Sequence, residues 1–169
     1  MIAFSSPKMK SSHPTGLFYN KRQPNPKKED HGDCGTRAIC LAFDLPYSKV
    51  WNAVTKAIRG REGFTRIRRG PDLCEYRESQ ATANGGTSRR ALSDALGHLG
   101  IYSWEYTKCI EGTKFLKGNF PDHCIAYIPN HYVAIKDGSI WDTWDSRGKR
   151  TKKLLGYFSK TIPTIVTDL

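Results

Sequence analysis

The chain has 169 residues, of which 38% are hydrophobic and 11% aromatic, and its net charge is +11. This length suffices for one domain with a buried core, and the aromatic content excludes a disordered chain. The excess of basic residues favours acidic partners such as nucleic acid, an anionic membrane or an acidic protein surface, and the alternative is that it serves solubility. No apolar run is long enough for a membrane span, so we expect no membrane contact.

The cysteines of the chain are odd in number and lack Cys-x-x-Cys spacing. Such a set favours reduced thiols over a disulfide framework. The first ten residues, M-I-A-F-S-S-P-K-M-K, lack the apolar core of a signal peptide. We therefore expect a cytoplasmic protein. The five cysteines are Cys34, Cys40, Cys74, Cys109 and Cys124.

The N-terminal segment differs in composition from the rest. Residues 1–29 contain four prolines with scattered Lys and Ser, which predicts an extended arm with one possible short strand at 17–19. Residues 30–169 are then expected to form a single domain.

Three segments have apolar residues at helical spacing. The first helix is predicted over 33–43 and the second from Ser48 to Ile58, with Gly60 ending it. Gly85-Gly86-Thr87-Ser88 introduces the third, which ends near Gly100.

The second half of the chain predicts strands, and Asp137-Gly138 is its strongest hairpin signal. Helices followed by antiparallel strands indicate an α+β fold, in which N-terminal helices pack on an antiparallel β-meander. The predicted strands are 101–107, 123–128, 131–136, 140–145 and 154–159.

Residues 59–71, R-G-R-E-G-F-T-R-I-R-R-G-P, contain five Arg and three Gly. This composition indicates an exposed basic loop. Its arginines, Arg66, Arg68 and Arg69 above all, are candidates for contact with phosphate or an acidic substrate, and the alternative is a solvated connector.

Cys34 is the first candidate for chemistry. Asp33 is a good N-cap, which places Cys34 in the first turn of a mostly buried helix. Helix N-termini carry partial positive charge and free N–H groups, so a thiolate at this position is stabilised and its pKa is lowered. This is typical of a cysteine nucleophile.

A thiol nucleophile needs a base, usually His, and a third group that orients the imidazole. His131 opens the strand that leads into Asp137-Gly138. With a two-residue loop, Asp142 lies on the face of His131 along the diagonal; with a three-residue loop, Asp145 lies directly opposite. We expect Asp145, because an acid at a strand end reaches the ring without being buried, and we keep Asp142 as the second candidate.

A metal site is the other interpretation of the clustered Cys and His residues. Cys109, His123, Cys124 and His131 lack paired-ligand spacing, and neighbouring residues on a strand point to opposite faces. We therefore expect neither a metal nor another cofactor.

These motifs resemble those of the papain-like cysteine peptidase superfamily. The run from Asp33-Cys34-Gly35 to Cys40-Leu41-Ala42 is similar to the catalytic helix in the peptidase domain of bacteriocin exporters. Gly32-Asp33-Cys34 with Arg37-Ala38 resembles the motif of ovarian-tumour-type deubiquitinases. The strand from His131 to Ala134 and the later Asp145 match the order of these families, and the pattern is also similar to small uncharacterised proteins of phages and bacteria.

The resemblance implies a cysteine peptidase or isopeptidase that uses a Cys-His-Asp triad on a protein or peptide substrate, in the host cytoplasm if phage-encoded. The exporter peptidases place an oxyanion-hole Gln six residues before the Cys, where this chain has Lys28. The oxyanion candidates are therefore Gln23, the nearest Gln, and, as the deubiquitinase resemblance suggests, the loop from Asp30 to Asp33 with the backbone N–H of Cys34. The alternatives are a basic nucleic-acid- or protein-binding module on an inactive papain-like scaffold, or another acyl transfer at Cys34.

Overall fold

The structure, a computed structural model, describes residues 17–28, 32–62, 64–68, 74–78, 82–117, 121–147 and 152–161. Helices cover one face of a mixed six-stranded sheet, which confirms the predicted α+β class. The helices are α1 (Cys34–Phe43), α2 (Tyr47–Glu62) and α3 (Arg89–His98). The strands are β1 (Phe18–Lys21), β2 (Phe64–Arg68), β3 (Cys74–Glu78), β4 (Trp104–Lys108), β5 (Cys124–Ile128), β6 (His131–Lys136), β7 (Ser139–Asp142) and β8 (Gly156–Lys160).

Helix α1 is the most buried helix, with every residue from Gly35 to Ala42 in the interior. It ends at Asp44, whose backbone adopts the left-handed conformation and whose N–H donates to the Cys40 carbonyl. A helix buried on all sides has no solvent-facing stripe, so the core fixes its position and that of the residue that begins it.

Helix α2 continues to Glu62 and does not end at Gly60, where the sequence predicted its end. Glycine inside a helix costs about 1 kcal/mol relative to alanine, but two features favour the extra turn. Arg59 and Arg61 complement the negative end of the helix dipole. Arg61 Nε also lies 2.5 Å from the Asp94 carboxylate of α3.

The sheet has the order β1-β7-β6-β5-β8-β4. Strands β5, β6 and β7 form the predicted antiparallel meander. The meander is not complete, because β8 inserts between β5 and β4 and pairs with both. Gly156 opens β8, and a Cβ at this position would meet the Tyr106 hydroxyl oxygen at 2.3 Å. The close packing of β4 on β8 thus depends on a residue without a side chain.

Strand β1 lies in the segment predicted as an arm. It pairs in parallel with β7, from Phe18 opposite Ser139 to Lys21 opposite Asp142, so the sheet is mixed and not purely antiparallel. A parallel pair needs a crossover connection, and the helices between β1 and the meander supply it.

The predicted basic loop over 59–71 also differs from the structure. Its first residues belong to α2, and residues 64–68 form β2, which pairs with β3 in a separate antiparallel hairpin. Arg66 and Arg68 lie on β2, whose backbone alone is described, and Arg69 lies outside the described residues.

The sheet separates two apolar cores. Side chains from α1, α2 and α3 pack on one face, against residues such as Ile125, Ala134 and Phe158. The opposite face carries a smaller core that includes Phe115 and Ile140. Among the described residues, no helix combines the length and the apolar character needed to cross a membrane.

Candidate active site

Cys34 begins α1 and is partly buried at the end of the sheet where β6 starts. The first bond of the helix runs from the Arg37 N–H to the Asp33 carbonyl, at 3.0 Å. Residues 34–36 therefore have no intrahelical acceptor for their N–H groups, and the Asp33 side chain caps none of them. The thiol stands beside free donors at the positive end of a helix.

The β6–β7 hairpin brings a histidine and an acid together. Lys136 pairs with Ser139 across the two-residue turn Asp137-Gly138, so the two-residue loop considered from the sequence is the one formed. In this register Asp142 shares the face of His131 along the diagonal. Nε2 of His131 lies 2.6 Å from Oδ2 of Asp142, and both side chains are buried.

Asp145 does not reach His131, and our preference for it over Asp142 is therefore wrong. Its carboxylate is exposed and binds the guanidinium of Arg147, with Oδ2 2.7 Å from NH2. Strand β7 ends at Asp142, so Asp145 lies beyond the paired region. A three-residue loop would have brought Asp145 opposite His131.

The Cys34 thiol and the His131 imidazole are hydrogen-bonded to each other. Because Nε2 is held by Asp142, Nδ1 is the ring nitrogen that faces the sulfur. The backbone of Tyr132 provides a second hydrogen bond to Cys34. The three side chains thus form one continuous chain, from thiol to imidazole to carboxylate.

The pKa values of the pair move in opposite directions. Burial, the largest single effect, raises the pKa of Cys34, but the hydrogen bonds from His131 and Tyr132 and the charges of His131 and Arg37 outweigh it and leave the pKa below its usual value. Burial lowers the pKa of His131, but the hydrogen bonds to Asp142 and Cys34 prevail and raise it to about 9. Both directions favour a thiolate–imidazolium ion pair.

A buried polar network connects α1 to Asp142. Arg37 Nε lies 3.0 Å from Asp33 Oδ1, and Arg37 NH1 donates to the Thr143 hydroxyl at 2.8 Å. The Thr143 N–H donates to the second carboxylate oxygen of Asp142, also at 2.8 Å. Asp142 is therefore held through both oxygens, and its position is linked to the helix that carries Cys34.

The side chain of Asp33 is occupied within this network. Besides Arg37, it accepts hydrogen bonds at Oδ2 from Asn25 Nδ2 at 3.0 Å and from the Tyr47 hydroxyl at 2.7 Å. A carboxylate with these contacts accepts and does not donate, so it fixes the start of α1 and does not stabilise an oxyanion.

Gln23 lies beside the second half of α1. Its Oε1 accepts a hydrogen bond from the Asn25 N–H, and the residue lines a cavity of about 360 Å³ with Cys40 and Tyr47. Cys40 is about 9 Å along the helix from Cys34 by the rise per residue. Of the oxyanion candidates, the backbone N–H of Cys34 is the one at the thiol.

Trp144 is a site residue that the sequence analysis did not assign. Its ring lies 4.9 Å from the His131 ring between centroids, tilted by 35°. Lys152 Nζ lies over this indole, 4.2 Å from its centroid. The indole therefore packs against the imidazole that binds Asp142. The position of Trp144, two residues after the candidate acid Asp142, is the sequence feature that could have identified it.

The other residues considered for a metal site, Cys109, His123 and Cys124, make packing contacts or a hydrogen bond to the backbone. His123 Nε2 lies 2.6 Å from the Ala42 carbonyl, and its ring packs against Trp104. Burial raises the pKa of both Cys109 and Cys124. Within the described ranges, no cluster of three or more His, Cys, Asp or Glu side chains is arranged to hold a metal.

Comparison of the chain with protein-family models, with curated proteins and with solved structures returned no match. The function of the chain is therefore inferred from the geometry of its site.

Proposed function

We propose that the protein is a cysteine-type hydrolase, a peptidase or isopeptidase, with Cys34 as nucleophile, His131 as base and Asp142 as the group that orients His131. One observation carries the proposal: a helix-start thiol is hydrogen-bonded to an imidazole whose other nitrogen is held by a buried carboxylate. Nucleophile, base and orienting group within hydrogen-bond reach are the signature of covalent catalysis. That the chain is a member of the papain-like superfamily is part of the same proposal.

The reaction proceeds in two acyl transfers. The Cys34 thiolate attacks the carbonyl carbon, the new C–S bond forms, and the C–N bond breaks as His131 gives its proton to the leaving amine. Water then attacks the thioester, His131 accepts a proton from it, and the acid product leaves with the thiolate restored. The free backbone N–H of Cys34 is the oxyanion donor, and it stands at the positive end of α1.

The test uses an acyl donor that requires no substrate pocket. We expect p-nitrophenyl acetate to acetylate Cys34 as a thioester that hydrolyses on standing, detected by intact mass and peptide mapping. Iodoacetamide at pH 6.5 should alkylate the same residue first, because burial raises the pKa of the partly exposed Cys109.

Two variants control this test. Cys34→Ala should abolish both adducts, and Cys109→Ala, which removes another partly exposed thiol, should leave both unchanged. Equal labelling of wild type and Cys34→Ala at near-neutral pH would contradict the proposal.

A basic binding module on an inactive scaffold is the alternative, supported by the net charge of +11. It predicts binding of nucleic acid that falls steeply with salt and is unaffected by Cys34→Ala. The same variant therefore separates the two functions.

A further inference from the structure

A cleft of about 590 Å³, within the size range of ligand-binding clefts, is lined by Tyr106 and Lys108 of β4 and by Tyr127 of β5. Strand pairing places Lys108 of β4 opposite Gly156 of β8. Gly156 in turn lies opposite Tyr127 of β5, and Tyr127 lies opposite Tyr132 of β6. They form one row across four strands, with their Cα positions on one line and their side-chain directions on the helix-covered face. The row begins in the cleft, at Lys108, and ends at the residue whose backbone is bonded to Cys34.

Two tyrosines, Tyr106 and Tyr127, line the cleft, and each contacts a residue of the row next to it. The rings of Tyr127 and Tyr132 are stacked, with centroids 4.8 Å apart. Gly156 leaves room for the Tyr106 hydroxyl, which donates to the Leu155 carbonyl at 3.1 Å. Tyr127, which lines the cleft, is therefore in ring contact with Tyr132, whose backbone is hydrogen-bonded to Cys34.

The rim of the cleft is basic. Arg89, Lys108 and Lys153 are exposed along it, against one carboxylate, Glu111. The guanidinium of Arg89 lies over the Tyr106 ring, 5.0 Å from its centroid, which fixes one of these charges in place. A cleft with this charge favours an anionic occupant, and the tyrosine rings supply apolar contact.

We propose that this cleft binds an acidic segment of the polypeptide whose peptide or isopeptide bond Cys34 attacks. The inference rests on the proposed function. A peptide is favoured over nucleic acid because the row of strands leads to a nucleophile suited to acyl transfer. Adjacent strands are about 4.8 Å apart, so Lys108 is about 14 Å from Tyr132, the length of about four extended residues. The substrate therefore carries Asp or Glu within about four residues of the bond attacked.

The experiment measures binding by Cys34→Ala, which cannot turn the ligand over. Fluorescein-labelled ten-residue peptides of Glu and Ala, of Ala and Ser, and of Lys and Ala serve as acidic, neutral and basic probes in fluorescence anisotropy. We expect the acidic peptide to bind about tenfold or more tightly than the neutral one, because charge-assisted hydrogen bonds are the strong ones. The basic peptide should bind most weakly.

Charge variants locate the binding. Arg89→Gln, Lys108→Gln and Lys153→Gln combined should lower the affinity for the acidic peptide about tenfold. The matched control changes the same charge at exposed positions outside the cleft, with Lys21→Gln, Lys49→Gln and Lys160→Gln. It should retain affinity within about twofold, since exposed charges more than a Debye length away are screened.

Three outcomes would overturn the inference. The first is equal binding of the acidic and neutral peptides, and the second is an equal loss of affinity in the cleft variant and the control. The third is a ten-nucleotide oligothymidylate that binds more tightly than the acidic peptide and loses that binding in the cleft variant. The last result would make the cleft a nucleic-acid site. Alkylation of wild-type Cys34 distinguishes the two failures: a reactive Cys34 without acidic preference contradicts this inference alone, and an unreactive Cys34 contradicts the proposed function.

Discussion

His131 lies between Cys34 and Asp142 and is hydrogen-bonded to both. One nitrogen is held by Asp142 at 2.6 Å and the other faces Cys34. Asp142 is in turn fixed by the Thr143 N–H. An imidazole held in this way keeps one orientation, which the proposed proton transfer to and from Cys34 requires.

The two candidate acids make the sharpest comparison at this scale. Asp142→Ala removes a charge-assisted hydrogen bond worth about 1.5–3 kcal/mol, and so should lower the rate of Cys34 acetylation about 10- to 150-fold. Asp145→Ala should stay within about twofold, since surface ion pairs contribute about 0–1 kcal/mol and its carboxylate is exposed. Acetylation rates by mass spectrometry provide the measurement. Equal rates for the two variants would contradict the assignment of Asp142.

The sequence alone was enough to select Cys34 and His131 as candidate site residues. It left two residues, Asp142 and Asp145, as candidates for the acid that binds His131. Both residues could be selected from local sequence patterns: Cys34 lies at a predicted helix start, and His131 begins a predicted strand that leads into a hairpin turn. The choice between Asp142 and Asp145 depended on a single loop residue, because the facing residue changes with each step of register. Arg37 and Thr143 were beyond prediction, since they are 106 positions apart and meet only in the fold.

At the scale of elements, Arg37 forms a buried ion pair with Asp33 at the start of α1 and a hydrogen bond to Thr143, which follows the strand end that carries Asp142. Arg37→Met removes one partner of the Arg37–Asp33 pair and leaves the Asp33 carboxylate with less compensation inside the protein. Breaking a buried pair costs about 3–5 kcal/mol. Urea unfolding should show this loss, whereas Arg147→Met, at an exposed pair, should change the unfolding free energy by less than about 1 kcal/mol. Similar losses in both variants would show that the buried network does not stabilise the site.

The turn before α1 makes close contact with the segment before α3. Gly32 has φ +67°, and a Cβ there would lie 1.8 Å from the Asn84 carbonyl oxygen. We expect Gly32→Ala to destabilise the protein by about 1–3 kcal/mol and to slow alkylation of Cys34, because backbone must move.

Gly60→Ala is the control for this change. It lies inside α2 with nothing within 4 Å of its added Cβ, so alanine should stabilise the protein by about 0.5–1 kcal/mol. Urea unfolding and iodoacetamide rates measure both variants. A neutral Gly32→Ala would contradict the described contact.

Which strands pair was less predictable than which residues form them. The segments of β4 to β8 were recognised from their apolar patterns, and the β6–β7 pair from its Asp-Gly turn. The pairing of β4 with β8 was missed, because contacts such as Trp104 with Lys160 join residues far apart in the chain. Strand β1 was missed as part of the sheet for the same reason, its partner β7 lying more than a hundred residues later.

At the scale of the molecule, the core on the helix side of the sheet holds the site together. Phe158 is fully buried there, between the sheet and the helices. Phe158→Ala should destabilise the protein by about 3–5 kcal/mol, through lost burial and the cavity left behind.

Phe18 is the matched control, being 69% exposed on the edge strand β1. Phe18→Ala should change the unfolding free energy by less than about 0.5 kcal/mol, as surface substitutions usually do. Urea unfolding of both variants is the measurement. Equal costs would contradict a core centred between the helices and the sheet.

The most direct test of the central claim is the pH dependence of Cys34 alkylation by iodoacetamide. A lowered pKa means that the thiolate persists to lower pH, so the rate for the wild type should reach half its plateau at a lower pH than the rate for a free cysteine measured alongside. His131→Ala should raise this midpoint, because the hydrogen bond and charge that favour the thiolate are lost while burial remains. A wild-type midpoint at or above that of free cysteine, unchanged in His131→Ala, would contradict the account.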